Sequence, residues 1–210
     1  LEMKHQPSNV EIKYLGCFKA PDSNRRQLQA ITAKCNDFAR IANTSSLTRL
    51  EAHLMYQAIY RPSMGSPLPM CYFTFKELDR AQKKAHWAIV AKCGHNRNSS
   101  LAMLFGPTQL GGASFFHIYD LQGFGQISYF LKHWRSPNAS PGKMLWIAVS
   151  WLQFCAGIST SVFTDTDLPL VYLESNHLTS LLQYLKDIRG SFHLLDNMVS
   201  PRQRADVYYT

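Results

Sequence analysis

Apolar residues recur at three- and four-residue steps through most of this chain, and that spacing admits little other than packed helices. Leu28, Ile31, Cys35, Phe38 and Ala42 make one stripe, and Leu47, Leu50, Leu54, Ala58 and Ile59 a second. Leu78, Ala81, Ala85, Ala88 and Ile89 make a third, and Ile118, Leu121, Phe124, Ile127, Leu131 and Trp134 a fourth. Met144, Leu145, Ala148, Leu152 and Cys155 follow, then Leu178, Leu181, Leu182, Leu185 and Ile188. Only Val10 to Phe18 reads as a strand, between the turn clusters Pro7-Ser8-Asn9 and Pro21-Asp22-Ser23-Asn24. The expected fold class is mainly α, with one or two short N-terminal strands.

Punctuation sets the expected boundaries. Asp22 or Ser23 caps the first helix and Ser45 or Ser46 the second. Pro62 ends the second helix, because proline breaks the hydrogen-bond ladder, and 61–70 reads as a loop. Thr74 and Glu77 have capping-box spacing, and Gly94 stops the helix they open near Lys92. Ser99 to Phe105 is a short helix, and Gly106 to Gly112 a turn-rich loop needing positive φ. Ser140-Pro141 opens another helix that Gly157 stops, and Gly190 stops the last. The segments expected are 1–22, 23–98, 99–198 and a flexible tail at 199–210. The loop near 136–142 is the expected break between helical subdomains.

The net charge of +8 is concentrated. Residues 23–100 hold twelve Lys or Arg against four acids, while 164–210 carry a net negative charge. Such a block attracts polyanions by counterion release, so a nucleic-acid partner is expected. The five cysteines are scattered, odd in number and form no CxxC pair, which favours a reducing compartment. No run reaches the roughly 20 apolar residues that span a bilayer. No secretory leader opens the chain. The expectations are no membrane partner and an intracellular location, nuclear or cytoplasmic. Leu1 in place of Met fits a piece of a longer reading frame.

Catalytic patterns are weak. Two-metal chemistry needs converging carboxylates, and no adjacent Asp pair occurs. Asp165-Thr166-Asp167 reads as a solvated loop. Cys93-Gly94-His95 is half a zinc motif without its second half. The chain has no Gly-x-Ser-x-Gly elbow and no P-loop.

Lys13-Tyr14-Leu15-Gly16, then Ile59-Tyr60-Arg61-Pro62-Ser63-Met64, then Gly106-Pro107 with Leu110-Gly111-Gly112, form an ordered series. Gln122 and Leu131-Lys132-His133-Trp134-Arg135 follow. In this order the series resembles the region just downstream of the catalytic palm in reverse transcriptases of non-LTR (LINE-like) retroelements. The resemblance implies a primer-grip segment at Lys13, Tyr14 and Gly16, which steadies the primer end. It implies a helical thumb from about Gln27 to Lys92 and a connector after it. Arg25, Arg26, Lys34, Arg40, Lys83 and Lys84 are then the expected phosphate contacts, which position a duplex without reading its sequence. The implied partners are an RNA–DNA or DNA duplex and the missing fingers and palm of the same polyprotein. Mg²⁺ would belong to that palm, so no cofactor is expected in this chain, nor activity as an RNA-directed DNA polymerase on its own. The competing reading is a helical protein-interaction module with an incidental basic face.

Overall fold

The structure is a computed structural model that describes residues 12–14, 17–19, 24–96, 98–158, 161–164, 172–192 and 194. It is mainly helical. A hairpin of β1 (Ile12–Tyr14) and β2 (Cys17–Lys19) precedes eight α-helices among the described residues. These are α1 (Arg25–Thr44), α2 (Arg49–Met55), α3 (Arg61–Gly65), α4 (Phe75–Lys92), α5 (Leu101–Phe105), α6 (Ile118–Trp134), α7 (Ser140–Ala156) and α8 (His177–Asp187). Two compact units divide inside α6, at Gln122 and Gly123. The loop near 136–142 lies within the second unit.

In the first unit the stretch read as a strand, Val10 to Phe18, falls on a hairpin of two short strands, within the one or two expected. Its antiparallel register pairs Ile12 with Lys19, Lys13 with Phe18 and Tyr14 with Cys17. The side-chain amide of Gln27, buried on α1, accepts from the Phe18 amide at 2.8 Å and ties the hairpin to the helix. α1 starts after Asn24, whose side chain makes no capping bond; Asp22 and Ser23 lie outside the described residues. α1 and α4 pack along each other, burying Ile31, Cys35, Ala39 and Ala42 against a face of Leu78, Ala81, Ala85, Ala88 and Ile89. Leu28 and Phe38 are only half-buried. Lys92 Nζ donates to the Ser45 carbonyl at 2.6 Å, which holds the C-terminal ends of the two helices together.

Four expectations fail between 45 and 70. Thr48, not Ser45 or Ser46, caps α2 in a reciprocal box with Glu51. The buried side is Ala52, Met55, Tyr56, Tyr60 and Met64, whereas Leu50, Leu54 and Ile59 are exposed. Pro62 does not stop the helix. A π turn over Tyr56–Tyr60 joins α2 to α3, with the Arg61 amide donating to the Tyr56 carbonyl. An i→i+5 turn widens the ladder and makes room for a ring that would strike the carbonyl four residues back. A 3₁₀ turn, Leu68–Met70, completes a segment expected to be loop.

α4 follows its sequence signals closely. Thr74 and Glu77 form the expected capping box. At the other end Gly94 takes φ +87°, and the Gly94 and His95 amides donate to Ala91 and Val90. That pair of bonds is a Schellman stop.

In the second unit a core of Phe130, Val149, Leu152, Val162, Phe163, Leu178, Leu181, Leu182 and Leu185 joins α7 and α8 to the C-terminal part of α6. The apolar stripe expected on α6 is displaced. Gly123, Gln126 and Phe130 are buried in this unit and Phe124 is exposed. Gly123 lets α8 approach, since a Cβ there would lie 2.2 Å from the Tyr184 ring. On α7, Leu152 is buried and Leu145 half-buried, but Met144, Ala148 and Cys155 face solvent. α8 is capped by Asn176 and ends with Arg189, not Gly190, in the left-handed region at φ +54°.

Candidate nucleic-acid interface

Helix α4 carries a basic face. Lys76, Arg80, Lys83 and Lys84 stand at steps of four, three and one, which places them on one side of the helix, opposite the buried Leu78, Ala81, Ala85 and Ile89. All four are exposed. Their neighbouring acids are engaged elsewhere. Glu77 accepts from the Thr74 amide and hydroxyl at 2.9 and 2.8 Å. Asp79 turns to His117 Nε2 at 3.4 Å. Among the described residues, no carboxylate lies within ion-pairing distance of the four cations. Like charges at i,i+4 oppose helix formation by about 0.2–0.5 kcal/mol per pair, and Lys76–Arg80 and Arg80–Lys84 are two such pairs. A polyanion would relieve that repulsion. Lys76 and Arg80 escaped the list of expected contacts, although the i,i+4,i+8 spacing of 76, 80 and 84 was readable.

The other expected residues are dispersed. Lys13 Nζ lies 5.7 Å from the Phe18 ring centroid and the Arg26 guanidinium 4.3 Å, so hairpin and helix bring these two cations to one aromatic ring. Cation–π contacts at exposed sites are worth about 0.5–1 kcal/mol. Arg25 is exposed at the first residue of α1. Lys34 donates to the Ser63 carbonyl at 3.4 Å, a tie between α1 and α3. Arg40 pairs with Asp37 at 3.7 Å on the open surface of α1. Exposed pairs of this kind are worth about 0–1 kcal/mol and exchange readily for phosphate. The Tyr14 backbone pairs with Cys17, while Gly16 lies outside the described residues.

The motif blocks resolve into packing. Tyr60 and Met64 are buried beside Cys35, and the Arg61 guanidinium sits 4.1 Å over the Phe116 ring. Tyr56 Oη accepts from the Phe116 amide at 2.7 Å, and burial raises its pKa to about 12. Burial likewise raises the Cys35 thiol to about 11, so it is not a thiolate nucleophile at neutral pH. The Gly106–Gly112 block is a loop closed on itself. The Gly112 amide donates to Pro107, Ala113 to Met103, Ser114 to Gly106 and Phe115 to Leu104. A Cβ on Gly112 would lie 2.1 Å from the Gly106 carbonyl oxygen, and Gly111 takes φ +78°. These glycines serve close backbone approach rather than phosphate cradling.

Gln82 and Gln122 extend the packing. The Gln122 amide accepts from the Phe73 amide and donates to its carbonyl, at 3.1 and 2.9 Å. Gln82 accepts from the Ile118 amide at 3.0 Å. No group of three or more His, Cys, Asp or Glu placed to hold a metal ion occurs among the described residues. Cys93 and His95 belong to the α4 stop, and Asp165 and Asp167 lie outside the described residues. No described helix is long and apolar enough to cross a membrane. No protein family, curated protein or solved structure matches the chain.

Proposed function

We propose that this chain is the thumb-and-connector part of a non-LTR retroelement reverse transcriptase and holds a template–primer duplex by its phosphates. The observation that carries the reading is the uncompensated cation row on α4. From Lys76 to Lys84 that row runs for about 12 Å at 1.5 Å per residue. One strand of a duplex presents a phosphate about every 3.4 Å of axis, so the row matches three or four of them. Lys13 on β1 and Arg26 on α1, gathered at the Phe18 ring, add a second contact point in the same unit. The ordered sequence blocks supply the family, and the missing fingers and palm would supply Mg²⁺ and catalysis.

Lys83→Glu/Lys84→Glu tests it by fluorescence anisotropy on several unrelated duplexes. Both residues are exposed, so the fold should survive. The reading expects a loss of affinity of similar size for every sequence. Unchanged affinity would remove α4 as the contact face. The exposed apolar side of α7 favours a second reading, that of a protein-interaction module.

A further inference from the structure

We propose that the outer face of α7 is the two-fold interface of a homodimer of this chain. This proposal does not depend on duplex binding. α7 is apolar on two sides. Its inner side gives Val149 and Leu152 to the core. Its outer side carries Met144, Ile147, Ala148, Trp151, Phe154 and Cys155 in one i, i+3, i+4, i+7 stripe, all exposed. Met144 is 71% exposed, Ile147 70%, Trp151 65% and Phe154 59%. Trp151 and Phe154 stack at 5.6 Å, which presents a continuous apolar surface. Water is a poor environment for such a stripe, and contiguous patches of a few hundred Å² mark interaction sites.

The occupant follows from charge, shape and area. No charged residue lies between Met144 and Ala156, so two α7 helices meet without burying a charge of their own, while Glu174 stands exposed at the edge of the groove beside them. An isologous contact must pair a surface with itself. With two α7 helices antiparallel about a point between Ala148 and Trp151, each Trp151 covers the Ala148 of the other copy and each Met144 covers Cys155. Large side chains then meet small ones at these two crossings. Four large residues about two-thirds exposed, at roughly 200 Å² each, offer about 500 Å² per copy. Tyr172, 88% exposed, and the small residues extend that towards the roughly 600–800 Å² per partner that stable interfaces need. A groove of about 480 Å³, lined by Ala148, Trp151, Cys155, Tyr172 and His177 among others, opens on the same face.

Sedimentation velocity on the full chain should give twice the 24.0 kDa chain mass. Trp151→Asp should weaken the dimer roughly 30-fold, as loss of a central tryptophan does, and leave the far-UV circular dichroism unchanged. Register is tested by Met144→Cys with native Cys155 and with Cys93→Ser. Diamide takes up the two thiol hydrogens, and a disulfide-linked dimer should appear on a non-reducing gel. Lys83→Cys in the same Cys93→Ser background should give no more than the background without it. A monomer at all concentrations overturns the proposal. So does a dimer indifferent to Trp151→Asp, or crosslinking from Lys83→Cys equal to that from Met144→Cys.

Discussion

Acid should destabilise the first unit through His86. This residue lies on the buried face of α4, 8% exposed, with its ring stacked on Phe105 at 5.2 Å. Among the described residues its Nε2 has no hydrogen-bond partner. Burial, helped by nearby His117, lowers its pKa from 6.5 to about 4 against a smaller pull from Asp79. His117 is lowered too, chiefly by burial, with Asp79 and Asp120 opposing. Between those values the unfolded chain binds a proton that the folded chain refuses. The contribution is therefore complete above about pH 6.5 and lost as pH falls towards 4. From pH 7.5 to 5, linkage at His86 alone removes about 2 kcal/mol. Urea unfolding at the two pH values measures it, with His86→Phe as the comparison. Phenylalanine keeps the stack on Phe105 and removes both the proton site and the orphan nitrogen. The wild type should lose about 2 kcal/mol more than the variant over this interval. Parallel losses would refute the reasoning.

Gly123→Ala should lower the thermal midpoint of the second unit, because its Cβ would enter the buried Tyr184 ring; a cost of about 1–3 kcal/mol is expected. Thr74→Ala should remove one half of the α4 capping box and cost about 1 kcal/mol in chemical unfolding, with Thr74→Ser restoring most of it. Gly112→Ala should disrupt the 106–112 loop, since the atom it strikes is backbone and cannot rotate away; amide hydrogen exchange at Ala113 and Ser114 should speed up.

What the sequence revealed depended on whether the signal was local. The α4 box and its glycine stop are set by residues within one turn, and both were legible. The burial of α2 was not. Its two sides, Leu50-Leu54-Ile59 and Ala52-Met55-Tyr60, are both apolar, and only packing chose between them. The π turn then altered the phase of the buried row and absorbed Pro62, which by local rules should have been an end. α6 misled for another reason. Its apolar residues predict one buried stripe, yet Gln122 and Gln126 lie inside because backbone and hydroxyl partners satisfy their amides. The basic row on α4 was largely legible, because the helical period sets Arg80, Lys83 and Lys84 off the apolar stripe; Lys76, in the first turn, joins them only once the helix start is fixed. That Asp79 points away from the row could be learned only from its contact with His117.

The central claim is that α4 grips phosphates, and the salt dependence of binding to a labelled RNA–DNA hybrid tests it most directly. Four contacts predict a slope of log K against log salt of about −3 to −4, with affinity falling on the order of 100-fold between 50 and 200 mM. A folded sample that fails to bind at low salt, or binds with a flat salt profile, would contradict it.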